Sequence, residues 1–283
     1  MKQAAYKATV LNIAGNAGLF GLKLVAGVSS GSIALISDAL NSLSDVAASV
    51  ATYVCVRISG KEADEGHPFG HGRAEPIAGL IIAVLAGILG FEVIRASINR
   101  LLTHEAIDVN AFTLAVPVVT MIAKGAMYAH FKVVGLRTES PALMATATDS
   151  VMDVFVALAA LIGIAGAYYG WPVLDPIAGL VISLWIIRAG YMIGMENIAY
   201  LMGQAPPSEM MQRIKEAALS VDGVKAINTA RAHYVGSFIH VEIHIEVDKS
   251  LTTLDSHAIG KRVQRGVETI KAIEKAFVHI DPV

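Results

Sequence analysis

The chain has 283 residues, 54% of them hydrophobic and 16% charged, with a formal net charge of −2 and a mean hydropathy of +0.58. Soluble globular domains carry about a quarter charged residues, so this composition argues against a soluble enzyme, and the balanced charge leaves no electrostatic footprint for nucleic acid. The single cysteine, Cys55, excludes an intrachain disulfide and a thiolate cluster and reads as a small core residue.

Six stretches, roughly 8–28, 31–57, 74–101, 111–131, 141–168 and 174–197, are apolar over the ~20 residues that a helix needs to cross a bilayer. The first is too long for a cleaved signal and ends without a small-residue cleavage site. The links at Ser29-Ser30-Gly31 and Tyr169-Gly170-Trp171-Pro172 carry no Lys or Arg. By contrast, Lys2 and Lys7 precede the first span, Arg57, Lys61 and Arg73 flank the second link, and Lys132 and Arg137 the fourth. The positive-inside rule then predicts a multi-pass protein of the cell (inner or plasma) membrane with both termini in the cytoplasm, Arg100 being the main contrary charge.

Charge density roughly doubles after Gly203: residues 1–203 hold 12 basic and 14 acidic residues, and residues 204–283 hold 10 of each. Five of the nine histidines also lie in the last 80 residues. The paired prolines of Gln204-Ala-Pro-Pro-Ser forbid helix continuation, so the expected domains are 1–203 in the membrane and 204–283 outside it. In the tail, 207–220 has helical spacing with Ser208 as the expected cap, and 224–235 reads as a strand. Residues 238–248 alternate, with Val241, Ile243, Ile245 and Val247 on one side and His240, Glu242, His244 and Glu246 on the other, the pattern of a half-buried strand. A helix over 253–270 and a strand over 276–280 complete an αββαβ order, a two-layer α+β domain. A core of about 80 residues is modest, so dimerisation is expected.

Ionisable groups inside a membrane are expensive and need a reason. Span two holds Asp38, Asn41 and Asp45; span five holds Asp149 and Asp153. Asn41 and Asp45 are four apart and share a helical face, as do Asp149 and Asp153. Two such faces turned together present four oxygen-bearing side chains to one point. The competing explanation is polar glue between helices. Three carboxylates cannot all stay ionised in lipid without a cation. They would hold protons as a unit, a divalent ion would expel those protons, and its loss would recover them. That exchange is the physical basis of a metal/proton antiporter.

These segments resemble a known family. Asn41-Ser-Leu-Ser-Asp45 and Asp149-Ser-Val-Met-Asp153 are similar to the paired transport-site motifs of the cation diffusion facilitators. So are the link His67-Pro-Phe-Gly-His71-Gly-Arg73-Ala-Glu75, Ser140-Pro141-Ala-Leu and Leu174-Asp175-Pro176-Ile-Ala-Gly-Leu. Val241-Glu-Ile-His244-Ile-Glu, His257 and His279-Ile-Asp281-Pro resemble the family's cytoplasmic domain. The resemblance implies six transmembrane helices, a ferredoxin-like tail, a homodimer, and export of divalent transition metals in exchange for protons by alternating access. It also implies a possible link site at Asp64, His67 and His71 and a tail site at His244, His257, His279 and Asp281. A further family ligand position appears here as Asn228.

Zinc prefers nitrogen and sulfur ligands, and zinc-transporting members typically place histidine where this chain has Asn41 and Asp149. An all-oxygen set suits a harder ion and resembles the manganese-exporting branch. Mn²⁺ is therefore the expected cargo, with Zn²⁺, Fe²⁺, Co²⁺ and Cd²⁺ as alternatives and no bound cofactor expected. Asp38 and His240 are possible accessory residues, Asp38 being expected to act as a structural hydrogen-bonding group. Lys23 and Arg188 are expected to snorkel, Glu92 and Arg95 to pair, and Lys124 is assigned no transport role. A Na⁺/proton exchanger and a non-transporting metal sensor stay open. No His-Glu-x-x-His or Gly-x-Gly-Asp protease motif and no phosphate-cradling Gly-rich motif followed by Lys-Ser/Thr occurs, so neither an intramembrane protease nor an ATP-driven pump is expected.

Overall fold

The computed structural model describes the backbone of residues 2–59, 61, 63–103, 107–138, 141–236 and 238–283, and their side chains except those of 2–9, 52–57, 59, 138, 141 and 142. Ser140 and the side chains of Lys2, Lys7, Cys55 and Arg57 lie outside the described residues, and so do the readings placed on them.

Six long helices come first: α1 (Lys2–Ser30), α2 (Ile33–Ser59), α3 (Ala74–Thr103), α4 (Ala111–Thr138), α5 (Pro141–Tyr168) and α6 (Leu174–Leu201). All six are long and apolar enough to cross a membrane. A 28-residue helix such as α5 is ~42 Å long at 1.5 Å per residue, more than the ~30 Å hydrocarbon core. The predicted stretches fall inside these helices or within two residues of them. The largest difference is at α4, which runs two turns past the expected end at 131, through Lys132 and Arg137. Charge limits the hydrophobic stretch without interrupting the hydrogen-bond ladder.

Two compact units are formed, one by Met1–Ala51 with Ile81–Gly194 and the other by Thr52–Leu80 with Met195–Val283. In the first, apolar side chains point outward. Ile81, Val84, Leu85, Ile88 and Phe91 form an exposed stripe at three- and four-residue spacing on α3, the face expected toward lipid. The interior uses small residues, because packing rather than water exclusion joins helices in a bilayer. Ala34, Ala86, Val156, Ala160, Ala178 and Ile182 bring α2, α3, α5 and α6 together, and Met127, Phe131, Leu143 and Ala147 join α4 to α5. At Gly179 a Cβ would stand 2.8 Å from Ile33 Cγ2 and 2.9 Å from the Ser97 hydroxyl, so only glycine allows this approach.

The start of α2 is pinned by Asp175, fully buried in the first turn of α6. Its carboxylate accepts from Ser32 Oγ at 2.5 Å, from Ile33 N–H at 2.9 Å and from Ala34 N–H at 3.4 Å. Those amides have no partner within their own helix, and the carboxylate also meets the positive end of the α2 dipole. This anchor sets where the polar face of α2 lies.

The second unit holds α7 (Ser208–Leu219), β1 (Ala226–Val235), β2 (Phe238–Val247), α8 (Thr253–Glu268) and β3 (Ile273–Pro282). The αββαβ order matches the expected one. The sheet order is β1-β2-β3, with β1 antiparallel and β3 parallel to the central β2. Val241, Ile243, Ile245 and Val247 are buried, as the alternation requires, beneath Ile214 and Ala218 of α7 and Ile259, Val263 and Val267 of α8. The last three recur every four residues, one stripe of an amphipathic helix. β3 starts three residues before the expected 276. Glu274 and Lys275 hid it, although Ile273 is buried opposite Ile239. Ser208 is not the cap of α7. Pro207 occupies that position without a side-chain bond, its carbonyl accepting from Met210 and Met211 N–H.

α8 does have a side-chain cap. Thr252 Oγ1 accepts from Asp255 N–H at 3.2 Å and donates to its carboxylate at 2.6 Å. Thr252→Ala is expected to cost about 1 kcal/mol, read as faster hydrogen exchange in the first turn of α8. Unchanged exchange would show the cap to be idle.

Candidate metal centres

The polar faces of α2 and α5 meet. Asn41 Nδ2 donates to Asp153 Oδ1 at 2.8 Å, and both residues are buried. Between them stands a cation from a third helix. Lys124 of α4, 1% exposed, donates to Asp153 Oδ2, to Asp45 Oδ2 at 3.5 Å and to Asn16 Oδ1 of α1 at 2.6 Å. Asn16 Nδ2 in turn donates to Asn12 Oδ1 at 3.1 Å, which directs its carbonyl oxygen toward the lysine. Four helices thus converge on one ammonium. Among the described residues, Asp149 alone of the four transport-site candidates stays outside this hydrogen-bonded set. It is exposed, one turn before Asp153 on α5. With it the cluster has three formal negative charges against one positive.

Sequence reasoning missed Lys124 and Asn16. The available signal was position. Lys124 is 13 residues from Ala111 and 14 from Thr138, ~20 Å of helix from either end, too far for its ammonium to reach the interface.

Lys23 does not snorkel. It is fully buried, and its ammonium bonds Asp38 Oδ1 at 2.7 Å and Ser42 Oγ at 2.9 Å. The nearby carboxylate offers a stronger partner than the distant headgroups. Asp38, one turn before Asn41 on α2, is thus engaged by Lys23, while its Oδ2 is buried with no hydrogen-bond partner. The expected Glu92–Arg95 pair forms at 3.5 Å on the surface of α3, and Arg188 is exposed on α6.

Two clusters in the second unit hold ligand atoms within 4.8 Å of one another: Asp64 with His67 and His71, and His244 with His279 and Asp281. The first is built on a turn that contains Pro68 and Gly70. His67 N–H donates to Asp64 O at 3.2 Å, Gly70 N–H to His67 O at 2.9 Å, and Gly70 adopts φ +78°. The imidazoles still meet, with centroids 4.4 Å apart, and lie 3.3 and 3.4 Å from the Asp64 carboxylate. The hydrogen bond from His67 N–H holds the Asp64 carboxyl below the usual carboxylate range.

The second cluster follows from register. Parallel pairing sets His244 beside His279, with Asp281 two residues on along the same strand face. His279 is 3.3 Å and His244 3.9 Å from Asp281. A bulge in β1 presents Asn228, which donates to Asp281 Oδ2 at 3.1 Å. His257 does not join within this chain: it is exposed on α8, which packs on the opposite face of the sheet. His240 is buried against Phe69 and Phe277, with Nε2 3.1 Å from Glu274. It lines an open cleft of about 560 Å³ with Arg231, His233, Glu242, His244 and His279. Each cluster offers imidazole nitrogens and a carboxylate, a set suited to the later transition metals.

Helices long and apolar enough to cross a membrane enclose a buried, oxygen-rich polar centre, and a small sheet-and-helix domain rich in histidine follows them in the chain, an arrangement that suits a multi-pass cation transporter. Residues 9–202 match the profile of the cation efflux transmembrane domain, and residues 206–283 that of the cation efflux protein cytoplasmic domain. The chain belongs to this family, the cation diffusion facilitators, which are transporters of divalent metal cations rather than enzymes, and its tail is the ferredoxin-like domain of that family. It is 35% identical to an uncharacterized transporter of Methanocaldococcus jannaschii over 97% of both chains. It is 31% identical to the manganese efflux system protein MneS of Bacillus subtilis, over 96% of this chain and 94% of that one. It is also 31% identical to metal tolerance protein C1 of Arabidopsis thaliana, over 96% of this chain and 61% of that one.

Proposed function

We propose that this protein exports Mn²⁺ from the cytoplasm in exchange for protons, by alternating access, as a homodimer in the cell membrane with both termini cytoplasmic. The ion is held by Asn41, Asp45, Asp149 and Asp153. The observation that carries this reading is the meeting of the two helix faces, with Asn41 2.8 Å from Asp153 and Asp45 sharing the same buried cation. Such a set of carboxylates and an amide suits a hard divalent ion better than zinc, which favours nitrogen and sulfur. The likeness to a manganese efflux protein supports the choice.

The test is flux in proteoliposomes under an imposed pH gradient, with Mn²⁺, Zn²⁺, Fe²⁺, Co²⁺, Cd²⁺ and Na⁺ each supplied alone. Mn²⁺ movement with opposite proton movement is expected. Zinc flux without manganese flux would overturn the ion, and manganese flux indifferent to the gradient would overturn the exchange. Asn41→His and Asp149→His are expected to raise the zinc-to-manganese ratio about tenfold, equivalent to about 1.4 kcal/mol of ligand preference. Because Asp149 is exposed, an effect at that position would also show that it reaches the ion. Unchanged selectivity in both variants would remove ligand hardness as the filter.

A further inference from the structure

Two of the carboxylates that a transported cation needs, Asp153 and Asp45, already share a cation belonging to the protein. The Lys124 ammonium has three N–H donors, and it has three oxygen partners: Asp153, Asp45 and Asn16. It reaches them from α4, near the middle of its helix, and is closed off from solvent. A divalent ion bound by Asp45 and Asp153 would lie within a few ångströms of this ammonium in a poorly screened interior, where like charges repel strongly. The two cannot hold both carboxylates at once.

We infer that the Lys124 ammonium is a tethered stand-in for the transported ion, filling the carboxylate pocket when the ion is absent and competing with it for Asp45 and Asp153. The inference rests on the proposed site and adds to it the group that displaces the cargo. Asn16 completes the device. Its amide nitrogen is committed to Asn12 and its carbonyl oxygen faces Lys124, so the ammonium has a neutral perch on α1 when an incoming ion takes the carboxylates. On release, the same ammonium returns to Asp153 and Asp45, and the protons taken in exchange neutralise the carboxylate charge that it does not cover. A lysine acting only as structural cement would behave oppositely, because its loss would loosen the pocket and weaken ion binding.

The experiment is Mn²⁺ binding to the purified full-length protein at one fixed pH, together with export rates in proteoliposomes. Lys124→Met is expected to bind Mn²⁺ about tenfold more tightly than wild type and to export it more slowly, since protons alone are then left to displace the ion from the carboxylates. Lys124→Gln, which keeps a donor for Asp153, should shift the same way and serves where the methionine variant does not fold. Asn16→Leu leaves the lysine in place and removes its perch, so it should weaken Mn²⁺ binding several-fold. Opposite signs at positions 124 and 16 support the inference. Unchanged or weaker binding in both Lys124 variants, or unchanged binding in Asn16→Leu, overturns it and leaves the proposed export standing. Failure of the wild type to bind any ion of the transport panel overturns both.

Discussion

Asp153→Ala is expected to reduce Mn²⁺ flux by at least about a hundredfold, since even groups that merely orient a metal's ligands are worth about 10–100-fold. Asp153 is the residue on which the buried centre closes: one carboxylate oxygen accepts from Asn41, the other from Lys124. Its removal takes one of the four proposed ligands, releases the Asn41 amide and leaves the Lys124 ammonium with Asp45 at 3.5 Å and Asn16. Breaking a buried pair at one partner costs about 3–5 kcal/mol, so folded yield must be measured beside flux. Asp153→Asn separates the two effects, because it keeps the shape and loses the charge. A folded Asn variant that transports within threefold of wild type would remove Asp153 from the ion's path. Asp149→Ala is the informative comparison. Asp149 stands outside the hydrogen-bonded set, so a loss as deep as that of Asp153→Ala would mean that the last turn before Asp153 swings inward when an ion binds.

The carboxylates of this centre were legible because lipid makes them conspicuous, and four-residue spacing assigns each pair to one helix face. Lys124 was not legible as part of it. A carboxylate must meet its partners close to its own backbone, whereas a lysine projects its charge on a long flexible stem toward any of several neighbours. Which neighbour it finds depends on how α1, α2, α4 and α5 pack, and no single helix encodes that. The same freedom misled at Lys23, seven residues before the end of α1, where an interface seemed within reach and Asp38 was nearer. In the tail, the strict alternation of β2 identified its buried face, and αββαβ followed. The gathering of His244, His279 and Asp281 needed the parallel register of β2 and β3, a relation between strands 35 residues apart that spacing does not contain. The pairing of His67 with His71 came from a glycine-assisted turn that places the rings as a helical face would.

Lys23→Met is expected to lower stability by about 3–5 kcal/mol, the cost of leaving one member of a buried ion pair alone. Asp38 would keep its burial and lose its cation, and its Oδ2 already has no hydrogen-bond partner. Ser42 would lose the donor to its hydroxyl in the same step. For a chain of this size the shift is on the order of ten degrees in melting temperature, read on detergent-purified protein. The companion Lys23→Met/Asp38→Leu removes both charges, and replacing a whole buried pair by apolar groups is often neutral, so most of the lost stability should return. This cycle distinguishes a brace from a participant. Asp38 lies one turn from Asn41 and Ser42 is its neighbour, so the pair fixes the rotation of α2 from which Asn41 and Asp45 project. If it acts only as that brace, the double variant recovers flux along with stability. A double variant that melts like wild type yet moves no Mn²⁺ would instead make the Lys23–Asp38 pair part of the ion's route. A single variant as stable as wild type would mean that the carboxylate, once alone, finds water or another partner, and that α1 and α2 are held together by packing instead.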